Sequence, residues 1–310
     1  WEMLSHLKNY RAYNWFAGYD DAQRRPYTAI YTSLGCVFKC DFCMINLVNR
    51  ARLDQRDASE SAGMRYLSTD MVLREFGRLA KLGVKHVRIA DEMFFLNPHH
   101  YLPIIEGLAN ANWGLNLWAY ARVDTVRPEH LAAFKRAGIN WLCLGIESAD
   151  QTVRREVTKG SFKETKITEV CREIQAAGIN VLANFIVGLP DDTRETMQRT
   201  LDLALEICAE HTNIYPCMAL PGSPLARQGA PGTDLPKDFS GYSFLSYDCT
   251  PLPTKTLTAA EVLAFRDKAW LRVFTDETYL ALVQRQFGPV AVEHIEKQTQ
   301  IPLRRKLLET

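Results

Sequence analysis

Three of the eight cysteines fall within eight residues, Cys36, Cys40 and Cys43 in CVFKCDFC, whereas Cys143, Cys171, Cys208, Cys217 and Cys249 stand singly. Spacings of three and two residues let one tight loop wrap three thiolates round a single inorganic centre. No fourth Cys or His lies near in sequence to close a structural zinc site, and electron-transfer 4Fe-4S sites also use four cysteines. Three ligands leave one position open, which is what a metal centre needs in order to bind a reactant. The competing readings are chance proximity, or a zinc site completed by a distant residue. Other residues with chemistry to offer are Asp91 and Glu92, Arg122, Glu147 and Ser148, Lys159 and Asn184. Asn184 alternates with Leu182 and Ile186, so it shares a strand face with them and needs a hydrogen-bond partner if buried there. The seven histidines form no metal-binding spacing.

These residues must be positioned by the elements around them. LAKLGVKHVRIADE, ANWGLNLWAYARVD, FKRAGINWLCLGIES and IQAAGINVLANFIVGLP each run from a glycine into an apolar strand, and each glycine sits where a helix needs its left-handed cap. The segments before Gly83, Gly138 and Gly178 have helical spacing, for instance Ile167, Val170, Cys171, Ile174 and Ala177, while those after are β-branched and nearly all apolar. Strands this apolar are covered on both faces, in a parallel sheet. The pattern predicts strands near 27–34, 86–91, 115–121, 140–146, 181–188 and 212–219. Asp192 followed by Glu195 predicts a capping box for the helix after the fifth strand.

Six such units predict an α/β fold, a partial (β/α)6 TIM-like barrel over 26–224, with an N-terminal extension over 1–25 and a C-terminal loop and helical extension over 225–310. In such barrels chemistry sits at the C-terminal strand ends, and those ends carry LGC at 34–36, DE at 91–92, Arg122, ES at 147–148, GLP at 188–190 and PGS at 221–223. The alternative is an open doubly wound sheet, but no G-x-G-x-x-G follows the first strand.

A formal charge of +1, from 37 basic and 36 acidic residues, lacks the footprint of a protein whose main partner is a nucleic acid or an anionic membrane. Apolar runs are strand-sized, short of a membrane span, and residues 1–11 show no signal-peptide pattern, which points to the cytoplasm. Thiols stay reduced there, so clustered cysteines hold metal or do chemistry. Because the first residue is Trp rather than Met, the chain is expected to be a piece of a longer protein or to lack its natural start.

The motif Cys-x3-Cys-x-aromatic-Cys, with Phe42 at the aromatic position and a predicted strand directly before it, resembles the radical S-adenosylmethionine (radical SAM) enzymes. TSLGCVFKCDFCMIN, IADEMF, YARVDT, GIES, KG at 159–160, NFIVGLPDDT and MALPGSPL together resemble the cobalamin-associated subgroup, although no cobalamin-binding domain precedes the barrel in this chain. The resemblance implies a 4Fe-4S cluster on Cys36, Cys40 and Cys43 whose open iron chelates SAM, and an external reductant such as flavodoxin or ferredoxin. One electron would cleave the sulfonium to give a 5'-deoxyadenosyl radical that abstracts hydrogen from a small-molecule or peptide substrate. It further implies that Asp91 or Glu92 accepts from the SAM amino group, that Glu147, next to Ser148, accepts from the ribose, that Arg122 or Lys159 holds the carboxylate, and that Asn184 finds its partner in SAM. Cobalamin-dependent C-methylation is the leading outcome, with cobalamin-free rearrangement, epimerisation or cyclisation second and a non-catalytic iron-sulfur or zinc-binding module a distant third. The aromatic segment 1–16 and the loop 222–253, with Tyr242, Phe244 and Tyr247, are the candidates to cover the barrel mouth.

Overall fold

The computed structural model describes residues 1, 6–49, 61, 63–157, 164–228 and 235–309. Its strands are β1 (Tyr27–Ile30), β2 (Ser33–Leu34), β3 (Arg65–Tyr66), β4 (His86–Ile89), β5 (Asn116–Arg122), β6 (Ile139–Glu147), β7 (Asn180–Val187) and β8 (His211–Pro216). The first of these and β4 to β8 form one parallel sheet in the order β1-β4-β5-β6-β7-β8. Strand order equals chain order, without the reversal that a doubly wound sheet requires. The fold is therefore a partial, TIM-like α/β barrel, left open because β1 and β8 do not pair.

Alternation along each strand divides the side chains between two environments. Val87, Ile89, Leu117, Ala119, Leu142, Leu144, Val181, Ala183, Phe185 and Val187 face outward into the main core. They meet Val72, Phe76 and Leu79 of α3 (Thr69–Lys81), Ile104 and Leu108 of α4 (Pro98–Ala111), Phe134 of α5 (Leu131–Arg136), Ile167, Val170 and Ile174 of α7 (Glu164–Ala176) and Met197 and Leu203 of α8 (Arg194–Ile207). Each such buried side chain contributes about 1.5–3 kcal/mol. The other set, including Trp118, Trp141, Cys143 and Leu182, faces inward.

Local chemistry sets the helix boundaries. Ser68 Oγ accepts from Met71 N and Asn97 Oδ1 from His99 N, capping α3 and α4. Gly83, Gly114, Gly138 and Gly178 all have positive φ, as the repeat requires; a Cβ on Gly138 would lie 2.4 Å from the Leu115 carbonyl oxygen. The start of α8 differs from the predicted box by one residue. Thr193 is the cap, exchanging bonds with Thr196, because Asp192 is buried and accepts instead from the Gly188 and Leu189 amides and from Thr196. Burial pushes its carboxyl up to about 6.

Two further departures bear on the site. The first predicted strand breaks at Tyr31–Thr32: after β1 the chain turns away and β2 pairs antiparallel with β3. The cause is Asp91, whose carboxylate accepts from Thr32 N, Thr32 Oγ1 and Ser33 Oγ, each at 2.6 Å, replacing ladder bonds. The N-terminal segment closes the floor of the barrel, not its mouth. Trp15 of α1 (Asn14–Ala17) meets Trp118 and Trp141 edge-on and stacks on His211, residues near the N-terminal ends of their strands, while Phe16 packs on His86 and Trp118.

The segment after β8 contains α9 (Pro224–Gln228), α10 (Ala259–Phe274), α11 (Glu277–Phe287) and α12 (Pro289–Thr299). The third-last of these, α10, lies along β8, where Arg266 Nε donates to the Ile214 carbonyl at 2.8 Å, satisfying an acceptor on the sheet edge. Asp267 holds both Arg266 and the buried Arg305 at 2.8–2.9 Å. No helix among the described residues is long and apolar enough to cross a membrane.

Candidate active site

A cavity of about 520 Å3 opens at the C-terminal ends of the strands, and every strand of the large sheet or the loop after it contributes to its wall. Cys36, Cys40 and Cys43 line it together with Phe42, Glu92, Arg122, Glu147 and Asn184. The sequence had named all eight. The loop carrying the cysteines runs from β2 to α2 (Ile45–Val48) and is pinned at several points. Asn46 Nδ2 donates to the Phe38 carbonyl at 2.7 Å, Asp41 N to the Val157 carbonyl at 3.1 Å, and Leu225 N to the Asp41 carbonyl at 3.0 Å. Phe42 itself packs with Val153, Val157, Leu189 and Leu225, beneath the loop ends of β6, β7 and β8. The thiols are thus held by the barrel and not by one another.

Among the described residues no three His, Cys, Asp or Glu side chains converge on a single-ion site. A structural zinc site needs such convergence, whereas the thiolates of an iron-sulfur cubane each take a different iron. The donor set fits a cluster: three thiols line one open cavity together with the carboxylates of Glu92 and Glu147. Burial pushes the Cys36 thiol up, so metal must displace its proton on binding.

The two acids at the end of β4 have diverged. Asp91 is fully buried beneath the cysteine loop and away from the cavity, its oxygens used by Thr32 and Ser33. Glu92 faces the cavity; Asn49 Nδ2 reaches its Oε1 at 3.5 Å, and its buried Oε2 has no hydrogen-bond partner among the described residues. Burial raises the Glu92 carboxyl above the ordinary carboxylate range. A buried acceptor without a donor is incomplete.

Glu147 reaches the cavity by an unusual backbone. Its φ is +73°, and the register between β6 and β7 shifts between Gly145 and Glu147, a bulge that re-aims the side chain. A non-glycine residue held left-handed costs of order 1 kcal/mol or more and persists where surrounding structure fixes it. The adjacent Ser148 turns outward to Thr200 of α8 and accepts from the Asp150 amide, and does not line the cavity. Asn184 has partly satisfied its own amide, donating to the Leu144 carbonyl at 3.1 Å and accepting from Asn213 at 3.0 Å.

Arg122 is held by its neighbour: Nε and Nη2 donate to the two Asp124 oxygens at 2.9 Å, its guanidinium lies 3.8 Å over the Phe38 ring, and Nη1 is 3.8 Å from Cys40 Sγ. Its bidentate fork is therefore turned to Asp124, and the edge beside Cys40 faces the thiols. Lys159 lies outside the described residues. Of the inward candidates on strands, Tyr120 and Tyr215 line the cavity, Trp118 belongs to the floor, and Cys217 packs in the cluster that holds Phe42 beneath the loop ends. Sequence reasoning missed Tyr31, Arg88 and Cys143 as wall residues. For Arg88 the signal was present, since it alternates with Val87 and Ile89 and must face the other side.

A second cavity, of about 500 Å3, lies against β8 and the floor, walled by Trp15, His211, Phe244, Trp270 and Phe274; Tyr215 belongs to both cavities.

The family described as the radical SAM superfamily matches residues 30–204, more than half of the chain. An uncharacterized methyltransferase of Pyrococcus horikoshii is 27% identical over 201 residues, covering 64% of this chain and 41% of that protein. The bacteriochlorophyllide d C-12(1)-methyltransferase of Chlorobaculum tepidum is 25% identical over 204 residues, with 63% and 41% covered. The chain thus spans about two fifths of the length of these curated relatives. Among solved structures, the radical SAM methyltransferase TsrM of Kitasatospora setae, with cobalamin and a [4Fe-4S] cluster bound, aligns with a TM-score of 0.58 at 18% identity over 69% of this chain and 42% of that one, a likeness of fold. With its family match, its parallel open barrel and its cysteine loop at the strand ends, this chain belongs to the radical SAM superfamily and is an enzyme of that class.

Proposed function

We propose that the chain cleaves SAM reductively at a 4Fe-4S cluster held by Cys36, Cys40 and Cys43, and directs the resulting radical at a carbon–hydrogen bond of a small-molecule or peptide substrate. The observation that carries this is the shared cavity: three thiols, a partnerless buried carboxylate oxygen and a second carboxylate on a bulged strand end face one space. Cluster and SAM would supply one-electron cleavage of the sulfonium, giving methionine and a 5'-deoxyadenosyl radical that takes a hydrogen atom to become 5'-deoxyadenosine.

The residues then divide the work. Cys36, Cys40 and Cys43 would hold the cluster and leave an open position for the amino and carboxylate groups of SAM. Glu92 Oε2 is the acceptor for an N–H of that amino group, which would supply its missing donor. Glu147 is the acceptor for the ribose hydroxyls, and Asn184 offers its remaining hydrogen-bonding capacity to the same ligand. Arg122 places a fixed positive charge beside Cys40, which favours the thiolate form. Tyr120 and Tyr215 exclude water from the space where a radical would be quenched. The electron would come from a small acidic carrier such as flavodoxin or ferredoxin.

Methyl transfer through cobalamin is the outcome we favour, because the relatives named above are methyltransferases. The test begins with iron. Anaerobically reconstituted protein is expected to be brown, to hold a 4Fe-4S cluster and to form 5'-deoxyadenosine from SAM on reduction. Cys36→Ala, Cys40→Ala and Cys43→Ala should each abolish both properties, since a three-ligand site has no spare thiolate. Cys143→Ala and Cys171→Ala should keep their iron; its loss there, or zinc in a colourless protein, refutes the assignment.

A further inference from the structure

Arg88 stands halfway along β4, in register with Trp118, and lines the cavity that also holds the cysteines. Its guanidinium carbon lies 5.2 Å from the Trp118 ring centroid and 5.2 Å from that of Tyr120. Such contacts favour a cation but supply no counter-ion. The groups that feel its charge are the phenols of Tyr27, which also hydrogen-bonds the guanidinium, and of Tyr120 and the thiol of Cys143, and burial raises all three, so each is neutral at physiological pH and none is a counter-ion. No described carboxylate pairs with Arg88, and the two carboxylates of the cavity, Glu92 and Glu147, stand at strand ends above it.

Two hydrogen-bond donors are also left over. Arg88 Nε and Trp118 Nε1 are both buried without an acceptor among the described residues, and they belong to neighbouring, register-paired side chains. Arg88 lines the cavity and Trp118 backs it from the floor, so the Arg88 donor without an acceptor and its cation without an anion are one deficit seen twice. An inward arginine is costly to hold uncompensated, and its planar fork matches carboxylate or phosphate oxygens. We propose that Arg88 binds an anionic group of the substrate, a carboxylate or a phosphate, within an aromatic enclosure formed with Tyr120 and Trp118. This rests on the reading that SAM and substrate meet in this cavity, with SAM at the strand ends and the substrate anion deeper in the barrel.

The test uses the reconstituted full chain and three probes of similar shape, benzoate, phenyl phosphate and the neutral benzamide, titrated by calorimetry at low and high salt. Wild-type protein should bind one of the anions at least about tenfold more tightly than benzamide, as a charge-assisted bond requires; which anion wins separates carboxylate from phosphate. Arg88→Gln should remove that preference, and Arg88→Lys should keep part of it, while SAM affinity holds within about twofold. Equal binding of benzamide and the anions, no binding of any probe, a preference that survives in Arg88→Gln, or a parallel loss of SAM affinity overturns the inference. Should Arg88→Gln fail to fold, the wild-type ratio and the lysine variant decide. SAM cleavage is measured on the same samples. Cleavage with no anion preference sinks this inference alone, and absence of cleavage sinks the reading it rests on.

Discussion

Glu92→Gln should move ligand affinity and stability in opposite directions. The wild-type carboxylate has one buried oxygen without a donor. If the SAM amino group supplies that donor, the variant loses a hydrogen bond to a charged carboxylate, worth about 1.5–3 kcal/mol, or about 10- to 150-fold in the dissociation constant. Without SAM the sign reverses. Burial raises this carboxyl above its ordinary value of 4.5, so between that value and the raised one the native state keeps a proton that the unfolded state has released. Stability therefore falls as pH rises through this window, and the cost persists at neutral pH. Glutamine carries no such cost. Because Glu92 is only half-buried, the gain is taken at about 1 kcal/mol, the low end for an unsatisfied group, or about 2 °C in melting temperature for a chain of this size. Scanning calorimetry of SAM-free protein should show the variant melting higher at neutral pH and level with wild type below pH 4.5. Equilibrium SAM titration of the reconstituted pair supplies the other half. Wild-type SAM affinity in the variant, or an unchanged pH dependence of melting, would refute the reasoning.

Glu147→Gln should weaken SAM binding by about 1–3 kcal/mol without loss of iron, because it removes a charged acceptor from a shielded site; wild-type affinity in the same titration sinks the ribose role. Phe16→Ala should cost about 3–5 kcal/mol in urea unfolding, since Phe16 is buried against Trp118 and His86 in the barrel floor. A loss below about 1 kcal/mol would mean the floor is not closed by this segment. Asp267→Ala should destabilise by about 3–5 kcal/mol, because it strands the buried guanidiniums of Arg266 and Arg305. A small loss there would show that water reaches both arginines.

What the sequence reveals follows from which constraints are local. The strands of the large sheet and the cysteine loop are legible because nearly all-apolar runs, four of them directly after a capping glycine, admit one reading, and because three thiols at fixed spacing have few uses. Neighbouring polar pairs are not legible in the same way. Of Asp91–Glu92 and Glu147–Ser148, one member of each faces the cavity and the other is used in buried bonds. Which is which depends on the Thr32–Ser33 turn and on a bulge, both invisible to a pattern. The capping residue of α8 shifts from Asp192 to Thr193 because a distant turn claims the aspartate. The aromatic N-terminal segment reads as apolar cover, but sequence cannot say which end of the barrel it covers; the paired Trp118 and Trp141 decide it. Arg88 hides because one charge inside an apolar strand looks like an exception to the pattern, when its parity already aims it inward.

The bond from Arg266 to the Ile214 carbonyl has a consequence for how the protein is made. An eight-stranded barrel protects its last strand by pairing it with its first, but here β8 has an outer edge whose acceptors must be met by something else. That something is α10, which begins more than forty residues after β8 ends and is therefore synthesised later. During translation β8 waits as a bare edge, the surface most prone to join another chain. A product truncated before α10 would keep every residue of the candidate active site and still be driven to associate through β8. In this chain a helix outside the candidate active site covers the edge of the sheet that carries it, and whether the nascent barrel stays single depends on that helix.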